Sequence, residues 1–182
     1  MPGNPSVLGY ALLGLIQQQP RSGYDLRKMF AATPMMSFSD SPGAIYPALA
    51  RLERSGLIRG KVEDRSGLRR RKVFRVTAKG MAALEDWLAK PVTRDDVIWN
   101  MDELMLRFAF MGPVSGATST LSFLENLEAE LSTHLLTLRD FLDSARQAMP
   151  LSGLLALEGG IELFKAHHRW AKRAIEAFKR ES

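Results

Sequence analysis

Apolar residues recur at intervals of three and four near the start of the chain, which predicts two successive amphipathic helices. The apolar positions of the first helix are Val7, Leu8, Ala11, Leu12, Leu15 and Ile16. Pro20 ends this run. Ser22 precedes the second predicted helix, GYDLRKMFAA, and is its expected N-cap because a serine hydroxyl can accept a hydrogen bond from the first helical turn.

A third helix is predicted over residues 42–55. Ser41 is its expected cap, Pro42 suits its first position and Gly56 its C-terminal stop. One face carries the apolar side chains Ile45, Leu49 and Leu52, which we assign to the core. The other face presents Ser41, Ala44, Tyr46, Pro47, Arg51 and Arg54. Such a face either contacts water or binds a partner.

After the third helix the apolar period changes to that of strands. Residues 58–76 are predicted to form a hairpin, with DRSG as the turn and RKVFRVT as the returning strand. Thr77 is the expected cap of a fourth helix, which Pro91 closes. Three helices followed by a hairpin are typical of a winged helix-turn-helix, here with a two-stranded wing.

The remaining chain has no strand pattern and predicts a mainly α fold throughout. DELMLRFAFMG is expected to be a short helix ended by Gly112 and Pro113. A long helix over about 115–148 carries leucines spaced by three and four, and a last helix covers about 151–180. This spacing suits pairing of helices either within one chain or between two chains.

Charge divides the chain unevenly. Residues 1–94 contain 16 Lys and Arg against 7 Asp and Glu, whereas residues 95–182 contain 9 against 13. A basic first part indicates contact with a polyanion by that part alone. We therefore expect a DNA-binding domain over residues 1–90, a linker over 91–100 and a helical domain over 101–182.

The predicted wing concentrates this positive charge. Five cations surround the hairpin tip: Arg65, Arg69, Arg70, Arg71 and Lys72. Like charges this close repel one another, so they are either exposed to water or neutralised by an anion. A phosphate backbone supplies such an anion, and each neutralised phosphate releases counterions. The cluster favours DNA contact by the wing and by the neighbouring helix.

Three segments, SGYDLRKMF, GAIYPALARLERSGLI and RRKVFRVTAKG, closely resemble PadR-family transcriptional regulators in their order and separation. The resemblance implies a winged helix that binds double-stranded operator DNA as a homodimer, usually as a repressor, and a helical C-terminal dimerisation domain of the family's longer type. It also implies that helix 42–55 is the recognition helix, with Tyr46 at the DNA surface. Tyr24 matches a tyrosine of the second helix that either touches the DNA backbone or packs.

The resemblance also implies an effector site: in the regulators that these segments resemble, small aromatic or lipophilic effectors bind around the dimer interface and weaken DNA binding. Four aromatic residues are candidates for such a site: Trp99, Phe108, Phe164 and Trp170. The alternative is that each belongs to the core. Trp99 stands out because it lies in the expected linker between the basic and acidic parts.

The residue inventory argues against an enzyme. The chain has no cysteine, its only histidines are His134, His167 and His168, and no spacing fits a metal site or a catalytic set. We expect no cofactor and no metal. The short apolar run near the N-terminus lacks preceding basic residues, so we expect neither a signal peptide nor a membrane span, and a cytoplasmic protein. The main alternative is a winged-helix protein-interaction module that does not bind DNA.

Overall fold

The computed structural model describes residues 4–32, 43–63 and 71–181. In the described residues the elements are α1 (Val7–Gln18), β1 (Arg21–Ser22), α2 (Gly23–Ala32), α3 (Ile45–Arg54), β2 (Ile58–Glu63), β3 (Arg71–Val76), α4 (Ala78–Leu88), α5 (Arg94–Trp99), α6 (Met101–Ala145) and α7 (Leu151–Glu181). The chain is mainly helical and divides into two compact units, the N-terminal unit (residues 1–90) and the C-terminal unit (residues 91–182).

The core of the N-terminal unit surrounds α1. Leu12 and Leu13 are fully buried, and the ring of Tyr10 stacks on Trp87 of α4 with centroids 4.6 Å apart. Ser6 begins α1, because its hydroxyl accepts a hydrogen bond from the Gly9 N–H. Residues 8–16 of α1 are all buried, so α1 packs against the other elements on every side and forms the middle of this core.

Both ends of the helix-turn-helix follow from local chemistry. Ser22 caps α2 as predicted, since its hydroxyl accepts from the Asp25 N–H and its own N–H donates to the Asp25 carboxylate. Gly56 ends α3 with a φ of +70°, a conformation that glycine adopts without strain. The predicted start of α3 at residue 42 is wrong, because Ala44 is its N-cap residue and makes no side-chain cap bond. The expected cap, Ser41, lies outside the described residues.

The two predicted strands of the wing are confirmed, and the predicted DRSG turn lies outside the described residues. In the part of the chain that the structure describes, a third strand joins the sheet. β2 and β3 pair antiparallel from Ile58 opposite Val76 to Glu63 opposite Arg71. β1 pairs with the other edge of β3, so that the strand order is β1-β3-β2. Two residues are too short for an alternating pattern, so the sequence could not indicate β1.

The C-terminal unit departs from the prediction in two places. A helix, α5, lies within the expected linker and begins with a capping box between Thr93 and Asp96. The predicted break between two helices is present but displaced: the helical path continues past Gly112 and Pro113, and the chain kinks at Gly116, with φ 79° and ψ 172°. Proline lacks the N–H of the helical ladder and its ring crowds the carbonyl four residues earlier, yet only Gly116 within this helix has non-helical dihedrals, and its positive φ redirects the chain.

The two long helices pack on each other within the chain. Leu124, Leu127 and Leu131 of α6 are completely buried, as is Ala171 of α7. His168 bonds Glu128 at 2.7 Å across this pair of helices. The leucine spacing therefore serves at least one intramolecular contact. No helix within the described residues is long and apolar enough to cross a membrane.

Candidate nucleic-acid interface

Helix α3 separates its buried and exposed side chains sharply. Ile45, Leu49 and Leu52 are between 1 and 4% exposed. The outward face carries Tyr46, 52% exposed, together with the exposed residues Pro47, Ala50, Arg51 and Arg54. The apolar stripe is thus in the core as predicted. Ala50 was not singled out from sequence, although it lies one helical turn after Tyr46.

The position of Tyr46 depends on close packing between α2 and α3. A Cβ atom added to Gly23 would lie 2.7 Å from Cε1 of Tyr46, which is closer than carbon atoms approach. Glycine at the start of α2 therefore lets the tyrosine ring lie against the backbone. The phenol still reaches the surface, where its hydroxyl is available to donate or accept a hydrogen bond.

Helix α2 adds a second polar surface next to α3. Tyr24 is 60% exposed, and the guanidinium of Arg27 lies 5.8 Å from the centroid of its ring. Lys28 is also exposed. Arg27 and Lys28 were not among the sequence candidates. Arg27 follows Tyr24 by three residues, the spacing that places two side chains on one helical face and that could have identified it.

The two described cations of the wing cluster are paired with carboxylates of the chain. Arg71 Nη2 lies 2.7 Å from Asp25 Oδ2, and Lys72 Nζ lies 2.7 Å from Glu53 Oε2. The hydrogen bond from Lys72 lowers the pKa of Glu53 below its ordinary value. Both cations were predicted to contact DNA. In the structure both lie at the outer end of the described strand pair, and each has a carboxylate partner from the helix-turn-helix.

Further cations on the wing have no predicted role from sequence. Arg59 and Arg75 are exposed and stand directly opposite each other in the β2–β3 register. Like charges in this position destabilise a sheet unless water or an anion screens them. The remaining wing candidates, Arg65, Arg69 and Arg70, lie outside the described residues.

Beside α3 runs an open groove of about 640 Å³. Its cationic lining residues are Arg51, Arg54 and Lys79, and residues 4–6, which precede α1, line it together with Gly9. Lys79 donates to the Ser55 carbonyl at 2.8 Å, so that it also satisfies the C-terminal end of α3. The groove extends the positive surface along the edge of this helix.

Residues 12–86 match the Transcriptional regulator PadR-like family. The chain carries a PadR-like domain. The assignment made from the sequence motifs is confirmed, and members of this family are transcriptional regulators rather than enzymes. The PadR-like domain comprises most of the N-terminal unit, including the whole of α3 and the described wing strands.

Two transcriptional regulators are similar to this chain in sequence. The Negative transcriptional regulator PadR of Bacillus subtilis is 29% identical over 122 residues, which cover 67% of this chain and 66% of that protein. The chain thus spans slightly less than two thirds of that relative. The Probable transcriptional regulator Rv1176c of Mycobacterium tuberculosis is 24% identical over 185 aligned positions, covering 95% of this chain and 98% of that protein.

Solved structures of PadR-type regulators also match. Bacillus subtilis PadR in complex with operator DNA has 23% identity and a TM-score of 0.44, covering 95% of this chain and 99% of that one. The same regulator in complex with p-coumaric acid has 23% identity and a TM-score of 0.40, covering 95% and 96%.

The four aromatic candidates for an effector site do not form one cluster in the described ring contacts of the C-terminal unit. Phe108 and Trp170 contact each other edge to face, with centroids 5.1 Å apart. Phe164 packs edge-on against His134 at 4.5 Å. Burial, and then the charge of Arg94, lowers the pKa of His134. Trp99 is 78% exposed. Among the described ring contacts, one joins the candidates Phe108 and Trp170, and none includes Trp99.

Proposed function

We propose that this protein is a sequence-specific DNA-binding repressor that acts as a homodimer on a pseudo-palindromic operator. In this proposal residues 1–90 bind DNA, residues 91–100 join the two parts and residues 101–182 dimerise. The observation that carries it is the outward face of α3, where an exposed tyrosine, small residues and two arginines lie beside a basic groove. A PadR-like domain over residues 12–86 supports the same function.

The outward face of α3, together with its N-cap residue, suits the major groove. Ala44, Pro47 and Ala50 are small, which permits close approach of the helix to base edges, while the Tyr46 hydroxyl can reach a base or a phosphate. We assign Arg51 and Arg54 to the flanking backbone, since both line the basic groove. On the neighbouring helix, Tyr24 and the cations next to it would follow the phosphates of the same strand.

The dimer is supported by apolar side chains that the single chain leaves exposed. On α7 these are Leu151, Leu155 and Leu163, at 71, 57 and 66% exposure, and on α6 they are Leu136 and Phe141, at 58 and 53%. Burying such a surface against a second copy would release about 25 cal/mol per Å² of apolar area. Two-fold symmetry would then place the recognition helices about 34–36 Å apart, one DNA turn.

The binding surface is tested by fluorescence anisotropy on the DNA upstream of the protein's own coding region. We expect Arg51→Ala combined with Arg54→Ala to weaken binding about tenfold or more, because two charge-assisted contacts to phosphate are lost. The matched control is Arg146→Ala, which removes an exposed cation from the C-terminal unit. Equal affinity of both variants and the wild type would contradict the proposed surface.

We also propose that a small aromatic or lipophilic effector releases the repressor from DNA. The exposed indole of Trp99 and the edge-to-face pair of Phe108 and Trp170 offer surfaces on which an aromatic molecule can stack. Release requires that the effector binds the DNA-incompetent state more tightly than the competent one. Titration of phenolic compounds should quench tryptophan fluorescence less in Trp99→Phe; an unchanged quench would exclude Trp99 from the site.

A further inference from the structure

One carboxylate of α3 touches both strands of the wing. Glu53 Oε1 accepts a hydrogen bond from the Gly60 N–H of β2 at 3.1 Å, and its Oε2 accepts from Lys72 Nζ of β3 at 2.7 Å. The Gly60 amide points away from β3, at the free edge of β2, where a backbone donor would otherwise face water. Glu53 thus links the recognition helix to the whole width of the hairpin.

The glycine in the middle of β2 belongs to the same arrangement. A Cβ atom at Gly60 would clash with Cε of Lys72 and lie 2.9 Å from Glu53 Oε1. Glycine weakens a strand interior and is found where another group approaches closely. Here the approaching group is the lysine side chain, which crosses over residue 60 to reach the carboxylate. The three residues Glu53, Gly60 and Lys72 therefore form one structural unit.

A parallel contact ties the wing to the other helix of the helix-turn-helix. Asp25 of α2 accepts from Arg71 Nη2 at 2.7 Å. Neighbouring residues of β3 are thus each paired with a carboxylate, one from α2 and one from α3. Carboxylates next to a DNA-binding surface oppose binding by simple Coulomb repulsion, so their presence at two matching places requires a benefit.

We infer that Glu53 is a positioning residue that fixes the wing relative to the recognition helix, and that Lys72 is a tether rather than a phosphate ligand. The inference rests on the proposed DNA-binding function, since its consequence is sequence discrimination. Base contacts from α3 and backbone contacts from the wing can be made together only when their relative position is fixed, because backbone contacts set the register of the protein on the duplex.

The tether itself is tested without DNA, by amide hydrogen exchange of Gly60 in the full-length protein. Glu53→Ala removes the acceptor and should speed exchange at this amide several-fold, whereas Glu53→Gln keeps an acceptor oxygen and should preserve most of the protection. An unchanged exchange rate of the Gly60 amide in Glu53→Ala would show that Glu53 does not hold this amide, and would overturn the inference. This result does not depend on whether the protein binds DNA.

The consequence for recognition is tested by anisotropy on operator and scrambled duplexes at several salt concentrations. A tether predicts that Lys72→Gln leaves the slope of log K against log salt unchanged, while Glu53→Ala reduces the operator-to-scrambled ratio about three- to tenfold. The matched control Asp86→Asn removes an exposed carboxylate of α4 and should preserve the ratio.

The opposite pattern would overturn the inference. If Lys72 contacts phosphate, Lys72→Gln reduces the steepness of the slope by about 0.9, and Glu53→Ala tightens binding to both duplexes alike because it removes a repelled charge. Failure of the wild-type protein to bind either duplex would overturn the proposed function instead. Hydrogen exchange at Gly60 would then be the measurement that tests whether Glu53 holds the wing.

Discussion

At the scale of single residues, Asp25 shows how one carboxylate joins local and distant parts of the chain. It accepts hydrogen bonds from the Ser22 N–H and hydroxyl at 3.0 and 2.9 Å, and pairs with Arg71. Burial raises the pKa of Asp25, but the hydrogen bonds from Ser22 and the charge of Arg71 outweigh it and hold this pKa below its ordinary value of 3.8. The ionised form is therefore the one that stabilises the fold.

Because the pKa is lower in the folded than in the unfolded chain, this stabilisation is present above about pH 4 and is lost as the pH falls through the folded value. We expect Asp25→Asn to lower the free energy of unfolding by about 1 kcal/mol at pH 6, because the ionised acceptor of the Ser22 hydrogen bonds and of the Arg71 ion pair is lost. Near pH 3, below the ordinary pKa of 3.8, the difference from the wild type should be smaller. Urea denaturation at both pH values measures it.

Asp86→Asn, which removes an exposed carboxylate of α4, is the control and should change little at either pH. A loss in Asp25→Asn that is equally large at pH 3 and pH 6 would show that the ionised carboxylate is not the stabilising form.

At the scale of elements, the end of α3 and the start of α4 form one compact junction. The Thr77 hydroxyl donates to the Gly56 carbonyl at 2.7 Å and accepts from the Gly80 N–H at 3.0 Å. Gly80 is buried, and a Cβ atom there would clash with the carbonyl oxygen of Leu57. Backbone cannot move aside as a flexible side chain can, so this glycine sets the distance between the two elements.

We expect Gly80→Ala to lower the free energy of unfolding by about 1–3 kcal/mol, as overpacking commonly does. The control is Gly159→Ala in α7, where an added Cβ meets no atom within 4 Å and should stabilise the helix by up to about 1 kcal/mol. Chemical denaturation of both variants measures the difference. Equal stability of Gly80→Ala and the wild type would contradict the packing at this junction.

Periodicity predicted the elements well and their connections less well. The helices before and after the wing, the hairpin and the caps at Ser22 and Thr77 are local features, so a sequence window contains all of their determinants. The pair of Asp25 and Arg71 joins residues 46 positions apart, and no local spacing indicates it. For the same reason Arg71 and Lys72 could be identified as cations, but not as partners of carboxylates.

At the scale of the whole molecule, the basic first part and the acidic second part fit the proposed roles of residues 1–90 in DNA binding and of residues 101–182 in dimerisation. The proposed dimer makes a direct prediction at Leu163, which is 66% exposed on α7. Leu163→Glu should shift the protein from dimer toward monomer, because a buried unpaired carboxylate is strongly unfavourable at an apolar interface. Sedimentation velocity over a range of concentrations measures the change.

Ala82→Glu places the same side chain at an exposed position of α4 and should leave the dimer intact. A wild-type protein that sediments as a monomer at all concentrations would contradict the proposed dimer. A Leu163→Glu variant with wild-type dimer affinity would move the interface elsewhere on the C-terminal unit.

In the proposed function, the N-terminal unit binds a specific DNA sequence through α3 and through cations that contact phosphate. The most direct measurement is the dissociation constant for an operator-containing duplex and for a scrambled duplex of equal length, each at several salt concentrations. We predict tighter binding to the operator, and log K falling linearly with log salt for both duplexes. Equal affinity for the two duplexes, or affinity that does not change with salt, would contradict sequence-specific DNA binding by this unit.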